Sequence, residues 1–255
     1  MDKKMFCFQC EQTVGCTGCT GNAGVCGKKA DTAKLQDELT GALISLANAV
    51  DDTETISKRT GQIIIEGLFT TVTNVSFDNA AIENMIQKVR AEKERLVPDC
   101  RAKEYDLQQL WNANEDIRSL KSLILFGIRG MAAYAYHANV LNYEDTEVNQ
   151  FFCEALSKIG YEESTEALLS TVLKTGEINL KCMALLDKAN TETYGTPEPT
   201  DVTLTVEKGP FIVVTGHDLK DLQLLLEQTD GKGINIYTHG EMLPAHAYPF
   251  LKKYA

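Results

Sequence analysis

The sequence predicts a mainly α-helical chain that ends in the first part of a parallel α/β domain. Apolar residues recur at the 3.6-residue spacing of amphipathic helices through most of the first 190 residues. A cluster of glycine, proline and threonine at 195–200 then interrupts this pattern. Runs rich in β-branched residues appear after that break, at 211–215 and 234–238. The order is therefore helices first and strands last.

The helical part contains six predicted segments with no convincing strand between them. Asp31 is the predicted N-cap of the first segment, which runs to about Val50. Asp78 is the predicted N-cap of the third, which ends at Pro98 because proline cannot continue a helix. The other segments cover 57–74, 117–141, 145–159 and 164–189. Six helices of this length predict two antiparallel three-helix bundles within a helical domain at 31–195.

Residues 205–255 predict the start of a Rossmann-like α/β domain. The apolar run at 211–215 is typical of a buried parallel strand, and an amphipathic helix follows from Leu219. Two glycines, at 231 and 233, then precede the second predicted strand at 234–238. A strand, a helix and a second strand in this order form a βαβ unit, so the two strands should be parallel.

Two polar side chains follow the predicted strands, one after each. His217 and Glu241 lie just beyond the carboxyl ends, where ligands bind in open α/β sheets. If the strands are neighbours, about 4.8 Å apart, the imidazole and the carboxylate should face the same crevice. A polar residue at such a place can also be a helix cap, and Asp218 is a candidate for that simpler role.

The cysteines are concentrated near the amino terminus. Five of the eight lie within twenty residues of an N-terminal loop that covers 1–30, and five glycines are spread through the same loop. The spacing is compatible with an iron–sulfur cluster, a structural zinc site with two short knuckles, or a redox-active thiol pair. Glycine density and a lone trailing cysteine favour the iron–sulfur cluster, because N–H donors from a closely wrapped backbone help to set its potential. The clustered cysteines are Cys7, Cys10, Cys16, Cys19 and Cys26.

Three further cysteines and one histidine have simpler interpretations. Cys100, Cys153 and Cys182 are predicted to be buried structural thiols, since free cysteine behaves as a small hydrophobe. His137 lies on the apolar face of a long predicted helix, which indicates a hydrogen-bonded core residue rather than a ligand.

Charge and hydropathy exclude several classes of protein. Lys and Arg number 25 against 36 Asp and Glu, which gives a formal net charge of −11. This acid excess argues against nucleic acid and against an anionic membrane surface as partners, because both attract basic proteins. No apolar run approaches the length of about 18 residues that spans a bilayer. The first residues lack the apolar segment of a signal peptide, so we expect a cytoplasmic protein.

Several motifs resemble those of the hybrid-cluster proteins, also called prismane proteins or hydroxylamine reductases. The N-terminal motif is Met5-Phe6-Cys7-Phe8-Gln9-Cys10-Glu11-Gln12-Thr13, followed by Gly18-Cys19 and Gly24-Val25-Cys26-Gly27-Lys28. The resemblance continues at 173–180 and 190–195, and it is dense again at 216–222 and 238–246. It extends over essentially the whole chain in matching order and spacing.

The resemblance implies an N-terminal cluster with cysteine ligands. Carried onto this chain, the ligands are Cys7, Cys10, Cys19 and Cys26. Eight residues separate Cys10 from Cys19, which favours [4Fe–4S] over the [2Fe–2S] cluster of some members. Six residues separate Cys19 from Cys26, one more than those members usually have. Cys16 has no counterpart in the family pattern and is either a spare thiol or a substitute for Cys19.

The resemblance also implies a second, hybrid [4Fe–2O–2S] cluster, for which His217 and Glu241 match the first histidine and glutamate ligands. Imidazole and carboxylate suit an iron that keeps an open position for a nitrogen–oxygen substrate. The implied reaction is the two-electron reduction of hydroxylamine to ammonia and water, or the reduction of nitric oxide, with a redox protein as electron donor. His239 and His246 are candidate proton donors, and a purely orienting role for them is the alternative.

Family members continue for roughly as many residues again, and that second half supplies the remaining hybrid-cluster ligands. We therefore expect this chain to be a fragment, or to need another polypeptide that supplies the C-terminal half, and to be inactive alone. One alternative is an electron-transfer or sensing module that carries only the N-terminal cluster. Another is a zinc-stabilised helical interaction protein.

Overall fold

The structure, a computed structural model, describes residues 5–10, 18–50, 55–72, 76–98, 104–161 and 163–254. The chain forms two compact units. Unit 1 comprises Met1–Tyr136 and Glu144–Met183, and unit 2 comprises His137–Tyr143 and Ala184–Ala255. None of the helices in these described ranges is long and apolar enough to cross a membrane.

Helices precede strands, so the predicted fold class is confirmed. The elements in chain order are α1 (Ala30–Ala47), α2 (Lys58–Thr70), α3 (Asn79–Leu96), α4 (Gln108–Trp111), α5 (Glu115–Val140), α6 (Thr146–Gly160), α7 (Thr165–Tyr194), β1 (Phe211–Thr215), α8 (Leu219–Thr229), β2 (Asn235–His239), a 3₁₀ helix (Gly240–Ala247) and α9 (Pro249–Lys252). The short helix α4, the 3₁₀ helix and α9 are absent from the predicted set.

Polar caps begin several of the helices at the predicted places. The Asp78 carboxylate accepts hydrogen bonds from the first N–H groups of α3, and the Asp145 carboxylate accepts one from the Val148 N–H of α6. Asp31 as an N-cap is wrong, because α1 already begins at Ala30 after Lys29. The Asp31 carboxylate instead accepts a hydrogen bond from the Thr32 N–H within the first turn.

One continuous apolar core lies inside unit 1 and draws residues from α1 through α7. Helix α1 packs on α2, α3 and α6, and its Leu39, Leu43 and Leu46 are fully buried. Cys153 and Cys182 are buried, as predicted for structural thiols, while Cys100 lies outside the described residues. The division into two three-helix bundles and the domain boundaries at 30 and 195 stay predictions.

Unit 2 contains the predicted βαβ arrangement. Strands β1 and β2 are parallel neighbours, with Phe211 opposite Asn235 at one end and Thr215 opposite His239 at the other. Helix α8 connects them, and the Asp218 carboxylate caps it by accepting hydrogen bonds from the Lys220 and Asp221 N–H groups. The cap role that the sequence offers for Asp218 is confirmed.

The predicted burial of the first strand is wrong. Phe211 is 62% exposed and Val213 is 57% exposed. Val214 of β1 and Ile236 of β2 pack against the core of unit 2, whereas the alternate side chains Phe211 and Val213 have little cover among the described residues. The small core of unit 2 lies instead around Tyr194 and Leu222, which pack with Met242 and Leu251.

Candidate functional site

The N-terminal loop brings Cys7 and Cys19 side by side. Their backbones form an antiparallel bridge, in which the Cys7 N–H donates to the Cys19 carbonyl at 3.1 Å and the Cys19 N–H donates to the Cys7 carbonyl at 2.8 Å. Gly18 precedes this bridge with a φ of +84°, and a Cβ there would lie 3.1 Å from the Cys7 carbonyl oxygen. Both the backbone conformation and the limited space therefore favour glycine at this position.

A tight turn follows and carries Cys26. The Gly24 N–H donates to the Lys28 carbonyl, and the Gly27 N–H donates to the Gly24 carbonyl, both at 2.8 Å. Gly27 has a φ of +86°, in the left-handed region that favours glycine. The turn leaves Cys26 partly buried just before the start of α1.

All four cysteines of the predicted ligand set are free thiols, namely Cys7, Cys10, Cys19 and Cys26. Burial raises the pKa of the Cys7 thiol, and the nearby Lys28 ammonium partly offsets that rise. Across the described stretches, no three Cys, His, Asp or Glu side chains converge closely enough to hold a metal ion. Two features nevertheless fit an iron–sulfur cluster, namely the four free thiols and the glycine turns of the loop that carries them. Cys16 lies outside the described residues.

A buried polar network lies beneath the cysteine loop. The Lys28 ammonium donates to the Gln9 side-chain oxygen at 2.6 Å, and the Gln9 amide nitrogen donates to the Asp37 carboxylate at 2.7 Å. Burial raises the pKa of Asp37 to about 6, although the hydrogen bond from Gln9 opposes the rise. Arg129 of α5, which is 4% exposed, lies within electrostatic range of Asp37, Cys7 and Cys10.

Sequence reasoning did not assign this network to the site. The available signal was a charged residue inside an apolar helix, since Arg129 interrupts a strongly hydrophobic stretch. A buried arginine needs a partner, but the sequence alone does not show that this partner lies on α1, about ninety residues away.

The second predicted pair meets at the carboxyl ends of the strands in unit 2. His217 follows β1, Glu241 follows β2, and the His217 Nδ1 lies 3.1 Å from the Glu241 Oε2. The two side chains are 55% and 79% exposed. The parallel register produces this proximity, because it aligns the last residues of both strands, Thr215 and His239. The predicted convergence of His217 and Glu241 is confirmed, and their ligand role stays a prediction.

His137 and Asp218 surround the imidazole of His217. The ring of His137 packs edge-on against the His217 ring, with 5.3 Å between centroids, and its Nδ1 lies 3.2 Å from the Asp218 Oδ2. Burial favours a higher pKa for Asp218, but hydrogen bonds from His137 and from backbone N–H groups outweigh it and lower that pKa. His137 is buried and hydrogen-bonded to Asp218, as the sequence indicates for a core residue, and it also borders the candidate site.

The two other predicted histidines pair with threonines of the strands. His239 Nδ1 shares a hydrogen bond of 3.2 Å with the Thr215 hydroxyl. His246 Nε2 shares one of 2.7 Å with the Thr238 hydroxyl. Burial lowers the pKa of His246, which favours its neutral form at neutral pH. Their role as proton donors stays a prediction.

The family model and the individual relatives that match this chain indicate the same family. The model of the Prismane/CO dehydrogenase family matches residues 5–255. The hydroxylamine reductase of Thermodesulfovibrio yellowstonii is 46% identical over 98% of this chain and 51% of its own length. Those of Clostridium perfringens and Porphyromonas gingivalis strain W83 are each 43% identical and are matched over 51% of their length. The chain thus spans about half the length of the curated relatives that it matches, and it belongs to the Prismane/CO dehydrogenase family.

Proposed function

We propose that this chain supplies the N-terminal part of an iron–sulfur oxidoreductase of the hydroxylamine reductase type. The overall reaction converts hydroxylamine, two electrons and two protons into ammonia and water. The convergence of His217 and Glu241 carries the proposal, because imidazole and carboxylate at a switch point are suitable iron ligands. The relatives named hydroxylamine reductase support the same assignment.

In this proposal, Cys7, Cys10, Cys19 and Cys26 hold a [4Fe–4S] cluster, with [2Fe–2S] as the less favoured type. Free thiols, glycine turns and a buried cation beside Cys7 support this role. His217 and Glu241 hold part of a hybrid [4Fe–2O–2S] cluster. When bound, the clusters would relay electrons from the donor and provide an open iron position for the substrate.

The chain's own polar groups would orient the ligands and deliver protons. Asp218 holds His137 against the His217 ring, which restricts the orientation of that imidazole. His246 is half-buried and favours its neutral form, so a proton that it accepts can be released readily to a departing oxygen. His239 is the other candidate proton donor.

The partners follow from the same assignment. Hydroxylamine is the proposed substrate, with nitric oxide as the alternative, and a cytoplasmic redox protein is the proposed electron donor. His217 and Glu241 are too few to hold a four-iron cluster. The remaining ligands are therefore proposed to come from the sequence that corresponds to the C-terminal half of the relatives.

The test is anaerobic production of the chain with and without the C-terminal half of a relative, followed by analysis of iron, sulfide and zinc. Hydroxylamine reduction by reduced viologen is then measured as ammonia formation. We expect activity only with both halves, and at least a tenfold loss in Glu241→Gln. The exposed Glu198→Gln in unit 2 is the matched control. Ammonia production by the 255-residue chain alone, or full activity in Glu241→Gln, would contradict the proposal.

A second candidate function is an electron-transfer or sensing module with only the N-terminal cluster. It is favoured by the position of all four cysteines in unit 1, which has an extensive core of its own. A stable, reducible cluster without turnover in the two-half preparation would support this candidate. Stoichiometric zinc without sulfide would instead support the zinc-stabilised helical protein.

A further inference from the structure

Arg129 is a buried cation, and only part of its guanidinium is hydrogen-bonded. It lies in the middle of α5 and is 4% exposed. Its Nη2 donates to the Thr40 hydroxyl at 2.8 Å, and that hydroxyl in turn donates to the Gln36 carbonyl. Its Nε and Nη1 are buried and have no hydrogen-bond partner among the residues that the structure describes. Burial of an arginine in this way is costly unless an anion compensates it.

The surroundings of Arg129 identify the candidate anion. Its guanidinium interacts electrostatically with Asp37 and with the sulfurs of Cys7 and Cys10. Burial lowers the pKa of Arg129 to about 10, so it still carries its charge at neutral pH. The Asp37 carboxylate accepts its hydrogen bond from Gln9. Asp37 is therefore one source of negative charge near the guanidinium, and the thiolates that ligate a bound cluster would be the other.

Lys121 on the same helix provides a contrast. It is also buried, at 7% exposed, but its ammonium donates to the carbonyls of Ile159 and Tyr161, both at 2.8 Å. Backbone oxygens therefore compensate the charge of Lys121 within the helical core. Arg129 differs because its electrostatic neighbours are Asp37 of α1 and two cysteines of the N-terminal loop.

We infer that Arg129 is an electrostatic positioning residue for the iron–sulfur cluster of the N-terminal cysteines, and that its charge raises the reduction potential of that cluster. This inference rests on the proposed function. A cubane cluster with four thiolate ligands carries net negative charge, and one-electron reduction makes that charge more negative by one. No bond forms or breaks in this step. A fixed buried cation stabilises the reduced form more than the oxidised form, since the attraction grows with the charge.

The experiment measures the midpoint potential of the cluster in the full 255-residue chain. The protein is reconstituted anaerobically with iron and sulfide at pH 8, and dithionite is the reductant in a mediated titration followed by electron paramagnetic resonance. We expect Arg129→Met to lower the equilibrium constant for reduction at least tenfold, or about 59 mV for one electron. Arg129→Lys keeps the charge and should change the constant by less than about threefold. Lys121→Met is the matched loss of a buried cation and should behave like the unmodified chain.

Failure of the inference can be distinguished from failure of the proposed function. A wild-type chain that takes up neither iron nor sulfide contradicts the proposed function before any variant is measured. A loaded Arg129→Met protein with unchanged potential, or with the same shift as Lys121→Met, overturns only the inference. If Arg129→Met does not fold or load, Arg129→Gln decides, because it removes the same positive charge and keeps a polar side chain. An unchanged potential in Arg129→Gln would then overturn the inference.

Discussion

Glu92 has a fully buried carboxylate at the centre of a polar cluster in unit 1. Its Oε1 accepts hydrogen bonds from the Arg95 guanidinium and the Thr60 hydroxyl, both at 2.7 Å. Its Oε2 accepts a hydrogen bond of 2.9 Å from Arg59. The hydrogen bond from Arg95 is the largest of several effects that lower the pKa of Glu92 to about 2. A buried acid with this many donors ties α2 to α3.

We predict that Glu92→Gln lowers the free energy of unfolding by about 2 kcal/mol at pH 7, because the arginines lose their carboxylate. The folded-state pKa lies below the ordinary value of 4.5, so the stabilisation is complete above pH 4.5 and is lost as the pH falls towards 2. Urea unfolding at pH 7, 4 and 3 measures the difference between the two proteins. It should shrink as the pH falls.

Glu83→Gln is the control for this prediction. Glu83 is an exposed glutamate of the same helix, and its substitution should change stability by less than about 0.5 kcal/mol. An equal loss in both variants, or a Glu92→Gln effect that does not vary with pH, would contradict the assigned role of Glu92.

Single residues differ in how far the sequence predicts them. The proximity of His217 and Glu241 could be predicted, because each residue follows the end of a strand within a few positions. Neighbouring parallel strands bring those ends together. The link between Lys28 of the cysteine loop and Asp37 of α1 could not be predicted in the same way. Their link passes through the side chain of Gln9, and such contacts depend on tertiary packing rather than on local pattern.

At the scale of elements, helix ends with a polar cap were easier to predict than those without one. Asp78, Asp145 and Asp218 each begin a helix by accepting hydrogen bonds from its first N–H groups. Helix α1 has no such signal, since its N-cap Lys29 makes no capping hydrogen bond, and the predicted start at Asp31 was therefore wrong. The four-residue helix α4 was missed because its pattern is too short to show a period.

Helix α1 makes an unusually close approach to a neighbouring segment at Gly41. A Cβ on Gly41 would lie 2.3 Å from the Tyr105 carbonyl oxygen, far inside van der Waals contact. We predict that Gly41→Ala destabilises the protein by about 2–3 kcal/mol, because backbone on one side or the other must move. Thermal unfolding followed by circular dichroism measures the change.

Gly130→Ala is the matched control for the same measurement. Gly130 lies inside α5, and a Cβ there would meet no atom within 4 Å. Alanine should be neutral at this position or stabilise the helix by up to about 1 kcal/mol. If Gly41→Ala were as stable as Gly130→Ala, the close approach at Tyr105 would be contradicted.

At the scale of the whole molecule, the helical core and the cysteine loop are unequal contributors to stability. The core of unit 1 draws on seven helices, whereas the loop contributes only Met5 and Cys7 to a small cluster with Ala33 of α1. The fold class was predictable from sequence because the helical spacing of apolar residues stops at the break at 195–200. Runs of β-branched residues begin after that break. The exposure of β1 was not predictable, since cover on a strand depends on elements elsewhere in the fold.

We predict that removal of the cluster iron by an anaerobic chelator leaves the helical fold intact. The apo-protein should keep its far-ultraviolet circular dichroism and a cooperative thermal transition, because the main core contains none of the four predicted ligands. Limited proteolysis should cut the first 30 residues faster after iron removal. A wild-type chain that loses its cooperative transition on chelation would contradict this prediction.

The exposed strand β1 has a consequence for handling the isolated chain. Its Phe-Ile-Val-Val-Thr run is β-prone and uncharged, and most of the Phe211 and Val213 side chains is open to solvent. Such a strand is a template for intermolecular pairing and amyloid-like association. Concentrated stocks should therefore self-associate by sheet extension, and light scattering should increase with concentration and time. A charged gatekeeper such as Val213→Lys should keep the preparation monodisperse.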